Sequence, residues 1–201
     1  FLGKNKMSSR EGNAISADEL LDSVKKQVRE VMRGSERVKA KVDDEKLVQD
    51  IAFGAIKYGY LKYEPNTRIY FDLEQTISIE GNTGPYIQYA HARIRSILKN
   101  AGNVKSALKL PSYNQAEVDL MRKLLHFSES VQQAANEYKP NLLCNYLYEL
   151  AQVFSAFYQQ VPVLQEKDEA VRSFRLNLIT ATAQVIKNGL SLLGIAAPEE
   201  M

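Results

Sequence analysis

The 201-residue chain has no tryptophan, one cysteine, two histidines, 6 prolines and 10 glycines. A single thiol, Cys144, excludes a disulfide framework; it fits a reducing compartment and reads as a small buried hydrophobe. No apolar run approaches the roughly 20 residues that span a bilayer, and the opening residues lack the hydrophobic stretch of a signal peptide. The expectation is a soluble, cytoplasmic protein. Charge of one sign is also missing, since 26 Lys and Arg face 24 Asp and Glu for a net +2. That balance excludes a long basic tail and an acidic disordered segment. A chain of this length buries one sizeable core or two small ones, so a large multidomain enzyme is excluded. The start at Phe1, without an initiator Met, reads as a fragment whose upstream part is absent.

What is present is helical. Residues 1–16 combine serines, glycines and cations without apolar periodicity, which is loop chemistry. Ser16 followed by Glu19 forms a capping box, and Leu20, Leu21, Val24, Val28, Val31 and Met32 predict a helix to about Met32. A second helix is expected over Lys46–Lys62, where Gly54 and Gly59 weaken the intrinsic propensity but permit close helix contact. Arg68–Glu80 alternates partly and predicts an extended excursion. Further helices are expected at about 84–100, 117–138 and 140–160, with Pro140 in the first turn of the third. A last helix runs from Asp168, its cap, to Asn188, with Gly189 as its terminator and Val171, Phe174, Leu178, Ala181, Val185 and Ile186 as its buried stripe. The fold class is therefore all-α: residues 46–201 form a helical bundle with an extended insertion, and residues 1–45 belong to something else.

Three features carry chemistry. The opening holds Lys4, Lys6, Ser8, Ser9 and Arg10 within seven residues, a group able to hold polyphosphate, although no GxxxxGK[ST] sequence is present. The stretch Gly81–Ala116 has Arg93, Arg95, Lys99, Lys105 and Lys109 and no acid. Within it Ile87, Ala90, Ile94 and Leu98 face a core at helical spacing, while Tyr86, Tyr89 and Arg93 line an adjacent stripe. Tyrosine rings offer platforms for unpaired bases and Arg93 can reach phosphate or stack. A half-buried helix with packed tyrosines and solvated cations satisfies the same pattern. Finally, the apolar GLSLLGIAA segment can dock the tail on the bundle and leave Met201 near the surface. His91 and His126 have no metal-ligand spacing with Cys144, so no metal site is expected, and both read as structural or surface histidines. Glu117, Asp119, Glu199 and Glu200 read as solvated charges rather than acid–base pairs.

Four segments, KMSSREGN at Lys6–Asn13, EGNTGPYIQYAHARIRSIL at Glu80–Leu98, YLYELAQVFSAFY at Tyr146–Tyr158 and GLSLLGIAAPEEM at Gly189–Met201, together resemble the class I arginyl-tRNA synthetases. The resemblance covers essentially the whole chain. It implies that residues 1–45 are a short remnant of the class I catalytic domain with its signature loop and junction helix, and that 46–201 are the DALR-type anticodon-binding domain. Lys6, Met7, Ser8, Ser9 and Arg10 match the signature loop that stabilises ATP phosphates during adenylation; Arg10 stands where the family has Lys, a planar fork in place of a point charge. Tyr86, Tyr89 and Arg93 match the RNA-facing helix, and Met201 the residue that approaches the anticodon loop. The implied partners are arginine tRNA, chiefly its anticodon arm, and, in the complete enzyme, arginine and ATP with Mg2+; the fragment itself is expected to bind no cofactor, to be monomeric and to be catalytically inactive. A helical protein–protein interaction module is the alternative.

Overall fold

The computed structural model describes residues 16–34, 41–102 and 112–201, and eight helices lie among them. They are α1 (Ala17–Gly34), α2 (Glu45–Leu61), α3 (Leu73–Ile77), α4 (Gly84–Ala101), α5 (Gln115–Leu125), α6 (Phe127–Asn136), α7 (Pro140–Gln160) and α8 (Glu169–Leu192). The all-α bundle expected from the sequence is what the chain forms.

Local signals start most helices. At α1 the Ser16 hydroxyl accepts from the Glu19 amide at 3.1 Å while the Glu19 carboxylate accepts from the Ser16 amide at 2.8 Å. Asp44 caps α2, Thr83 caps α4 and Asp168 caps α8, each accepting from backbone amides of the first turn. Pro140 occupies the first turn of α7, where its missing N–H costs nothing.

Two apolar clusters result. The larger joins α4, α5, α7 and α8 through Ile87, Ile94, Leu120, Leu147, Phe154, Phe157, Ile179 and Ile186. The smaller joins α1, α2 and α3 through Val24, Val28, Val48, Ile51, Ala55 and Ile77. Helix α2 connects them, because its Tyr58 lies in the larger cluster while Val48 and Ile51 lie in the smaller. Helix α1, which the sequence groups with the head, thus shares its buried face with α2. Glycine permits the α2–α4 crossing: a Cβ on Gly54 would lie 2.5 Å from Gln88 Oε1, and one on Gly84 would overlap the Gly54 carbonyl.

Five expectations need correction. The excursion from Arg68 to Glu80 is interrupted by α3, because Asp72 accepts from the Gln75 amide and starts a helical turn. The helix expected over 117–138 is two helices. It breaks at His126 because the Lys123 carbonyl accepts from the Tyr146 hydroxyl at 2.8 Å and from the His126 amide, out of the i to i−4 ladder. Gly189 does not end α8; it lies inside the helix, where a Cβ would meet Leu147 Cδ2 at 2.5 Å. The terminator is Gly194, with φ of 68°, whose neighbour Ile195 donates to the Leu190 carbonyl at 2.9 Å while Gly194 donates to Ser191, a Schellman ending. The α8 stripe shifts accordingly: Phe174, Leu178, Thr182, Ile186 and Leu190 are buried and Ala181 faces solvent. Glu117 is not a solvated charge but buried, pairing with Arg175 Nε at 2.7 Å while its other oxygen completes the capping box with Asn114.

Gly84→Ala is expected to cost about 1–3 kcal/mol in urea unfolding, because the α2–α4 crossing must open. Gly34→Ala, whose Cβ would meet nothing within 4 Å among the described residues, is expected to be neutral or slightly stabilising.

Candidate nucleic-acid interface

The tail builds the site. After the Gly194 turn, Ile195 is buried and the following carbonyls meet two polar side chains on α4. Gln88, fully buried, donates its amide to Ala196 O at 2.9 Å and to Asp50 O at 3.0 Å, tying tail, α4 and α2 together. One turn on, His91 Nδ1 lies 2.8 Å from Pro198 O. A carbonyl only accepts, so the proton is on Nδ1. Lys57 of α2 donates to Gly194 O. His91 is thus structural, while His126 is exposed with its Nδ1 3.1 Å from Glu129.

The docked tail forms one wall of a cleft of about 870 Å3, with α4 and the end of α7 as the others. Tyr89, Arg93, Tyr158 and Met201 line it, together with Lys41, Arg95, Lys99, Glu199 and Glu200. Arg93 is held between two rings, its guanidinium carbon 5.6 Å from the Tyr89 centroid and 5.0 Å from that of Tyr158. Tyr158 is itself stacked on buried Phe154, with centroids 6.1 Å apart. These rings are half-buried, so their positions are set by packing while one side faces the cleft. Met201 packs its side chain against the α1–α2 cluster.

Of the residues singled out in the sequence, Tyr89, Arg93 and Met201 therefore meet in one cleft. Tyr86 does not line it. It lies along α4 against Tyr148 of α7, with centroids 5.7 Å apart and rings at 62°, and burial, with Tyr148 beside it, raises its phenol above the ordinary range. Lys6, Met7, Ser8, Ser9 and Arg10 lie outside the described residues, as do Lys105 and Lys109. Tyr158 and Lys41 carry no signal in the helical spacing, and the terminal acids, expected as solvated charges, line the cleft with them. The acid-free stretch was half of the signal for those acids: Arg95 pairs with Glu199, and Lys99 with Glu200 at 2.8 Å, so Glu199 and Glu200 are not merely solvated and the cations are not uncompensated. Lys41 also pairs with Glu200, and these two lysines hold its carboxyl down at about 2.

The geometry presents aromatic faces and a guanidinium at one cleft, a combination suited to unpaired bases and phosphates. Cys144 adds no chemistry; burial pushes its thiol up to about 12.

The DALR anticodon binding domain family matches residues 87–201, more than half of the chain and the part that contributes α4, α7, α8 and the tail. The chain belongs to that family. Its whole length is 38% identical to an arginine–tRNA ligase of Vibrio parahaemolyticus and 35% identical to one of Flavobacterium psychrophilum. It covers 36% and 34% of those proteins, so it spans about a third of the relatives it matches. Among solved structures it is similar to Thermus thermophilus arginyl-tRNA synthetase, with a TM-score of 0.91 and 37% identity over all of this chain and 34% of that one. The Plasmodium falciparum arginyl-tRNA synthetase aligns with a TM-score of 0.80 and 25% identity over 93% of this chain and 34% of that one. Like the DALR domains of that family, the chain is an all-α bundle.

Burial lowers the His91 pKa, outweighing the Pro198 carbonyl and Glu199, which favour the charged ring; Arg95 and Lys187 add to the lowering. The folded state therefore prefers neutral His91. The stability this gives is complete above the unfolded value of about 6.5 and is lost as pH falls through the folded one. The expected outcome is a His91 ring titration, followed by proton NMR, with a midpoint below 6.5, accompanied by a loss of amide-exchange protection at Ile195, relative to the intrinsic rate at each pH, as pH falls through it.

Proposed function

We propose that this chain recognises the anticodon arm of arginine tRNA as part of a ligase that activates arginine with ATP and esterifies it to that tRNA. The observation that carries the reading is the Arg93 guanidinium held between Tyr89 and Tyr158 in a cleft closed by the tail and Met201. A stacked base on either ring contributes about 1–3 kcal/mol, and the guanidinium can stack or hold phosphate. Tyr86, further along α4, extends the contact surface. The names of the full-length relatives support the choice of tRNA.

In the complete ligase, Lys6, Met7, Ser8, Ser9 and Arg10 would supply the cationic loop that stabilises ATP phosphates. ATP with Mg2+ provides the activating chemistry there, and the arginine pocket belongs to the rest of the enzyme. The 201 residues alone therefore bind tRNA without charging it, as a monomer in the cytoplasm.

Titrating this chain with arginine tRNA tests the proposal. Tyr89→Ala or Arg93→Ala is expected to weaken binding roughly tenfold to a hundredfold, with Arg93→Ala also reducing the salt slope by about 1 if it holds phosphate. Equal affinity for arginine tRNA and an unrelated RNA, unchanged by either substitution, contradicts it and favours a protein-binding module.

A further inference from the structure

The cleft contains its own anions. Four cations line it, Lys41, Arg93, Arg95 and Lys99, together with the carboxylates of Glu199 and Glu200. Glu199 pairs with Arg95 and lies 3.6 Å from Lys187, while Glu200 pairs with Lys41 and Lys99. Arg93 makes no ion pair with a carboxylate among the described residues and is held by rings instead.

These pairs are not what fastens the tail. The two carboxylates are about half exposed, at 51% and 49%, and pairs of that kind contribute little to stability. Buried Ile195, the Gln88 bonds, the His91 contact and the Lys57 contact already hold the segment. What Glu199 and Glu200 change is the potential of the cleft, which they lower where an RNA backbone would otherwise find bare cations.

Resting on the RNA-binding reading above, we propose that Glu199 and Glu200 are specificity-determining residues that stand in for phosphate and exclude RNAs that offer only backbone. A carboxylate repels phosphate but accepts hydrogen bonds from base amino groups. An RNA whose loop presents base edges to the tail keeps or gains contacts, whereas one that lies in the cleft by its phosphates must displace the carboxylates from Lys41, Arg95 and Lys99. Discrimination thus arises from a repulsive element as well as from the stacking platforms.

The test compares the full chain with its Glu199→Gln/Glu200→Gln variant, titrating arginine tRNA and polyuridylate at several salt concentrations. The variant is expected to bind polyuridylate roughly five- to 25-fold more tightly at 0.1 M salt, with a slope steeper by about 0.7 for each phosphate contact regained. Arginine tRNA should tighten less, so the ratio of the two affinities falls. Adding Lys41→Gln and Lys99→Gln to the variant should return polyuridylate binding towards the original value. Unchanged polyuridylate affinity, equal tightening of both RNAs, or tightening that is undiminished without the two lysines overturns the proposal. If the unaltered chain binds arginine tRNA in a Tyr89- and Arg93-dependent way while any of these occurs, this inference alone fails. If the unaltered chain binds no RNA, the function proposed above fails first.

Discussion

Two polar side chains on one face of α4, Gln88 and His91, hold the returning tail by its backbone carbonyls, and the cleft depends on that clasp. Both are buried, so leaving their partners unmade would cost the desolvation of each group. The clasp requires neighbouring features to agree. Gly54 must be small so that Gln88 can lie against α2, and Gly194 must adopt positive φ so that the chain can leave α8 towards α4. Ile195 then supplies the apolar anchor, and the cleft acquires its third wall.

Electrostatics and packing divide the work inside the cleft. The aromatic rings are positioned by the hydrophobic core, through Phe154 behind Tyr158, and they orient Arg93 without neutralising it. The remaining cations are held by carboxylates delivered by the tail. Among the described residues only one cation lining the cleft has no acid partner, and that one lies against two aromatic rings. On α8 the buried Arg175 side chain donates to Glu117, Glu166 and Pro162 O, which fixes the start of α5 and the 161–166 turn against α8.

Local chemistry was legible in the sequence, and long-range competition was not. Ser16 with Glu19, Asp168 and Pro140 act within a turn of themselves, so their helix starts could be read directly. The break at His126 depends on Tyr146 reaching back to Lys123, and the continuation of α8 through Gly189 depends on Leu147 filling the space a side chain would need. Neither partner is visible from a periodic pattern. On the site, helical spacing linked Tyr89 to Arg93, and the four-segment resemblance supplied Met201. The same spacing grouped Tyr86 with them, but Tyr148 draws it away from the cleft. Tyr158 and the pairings of Glu199 and Glu200 join residues far apart in the chain. An acid-free basic stretch and an acidic tail were two halves of one signal that only the fold brings together.

The claim that the tail and α4 make the RNA surface is tested most directly by mapping amide chemical shifts as the anticodon stem–loop of arginine tRNA is added to the labelled chain. The account predicts that the largest changes fall on Tyr89, Arg93, Tyr158 and the residues from Ile195 to Met201. Changes concentrated instead on the exposed α5–α6 surface around Leu125 and Tyr138, with the cleft untouched, would contradict it.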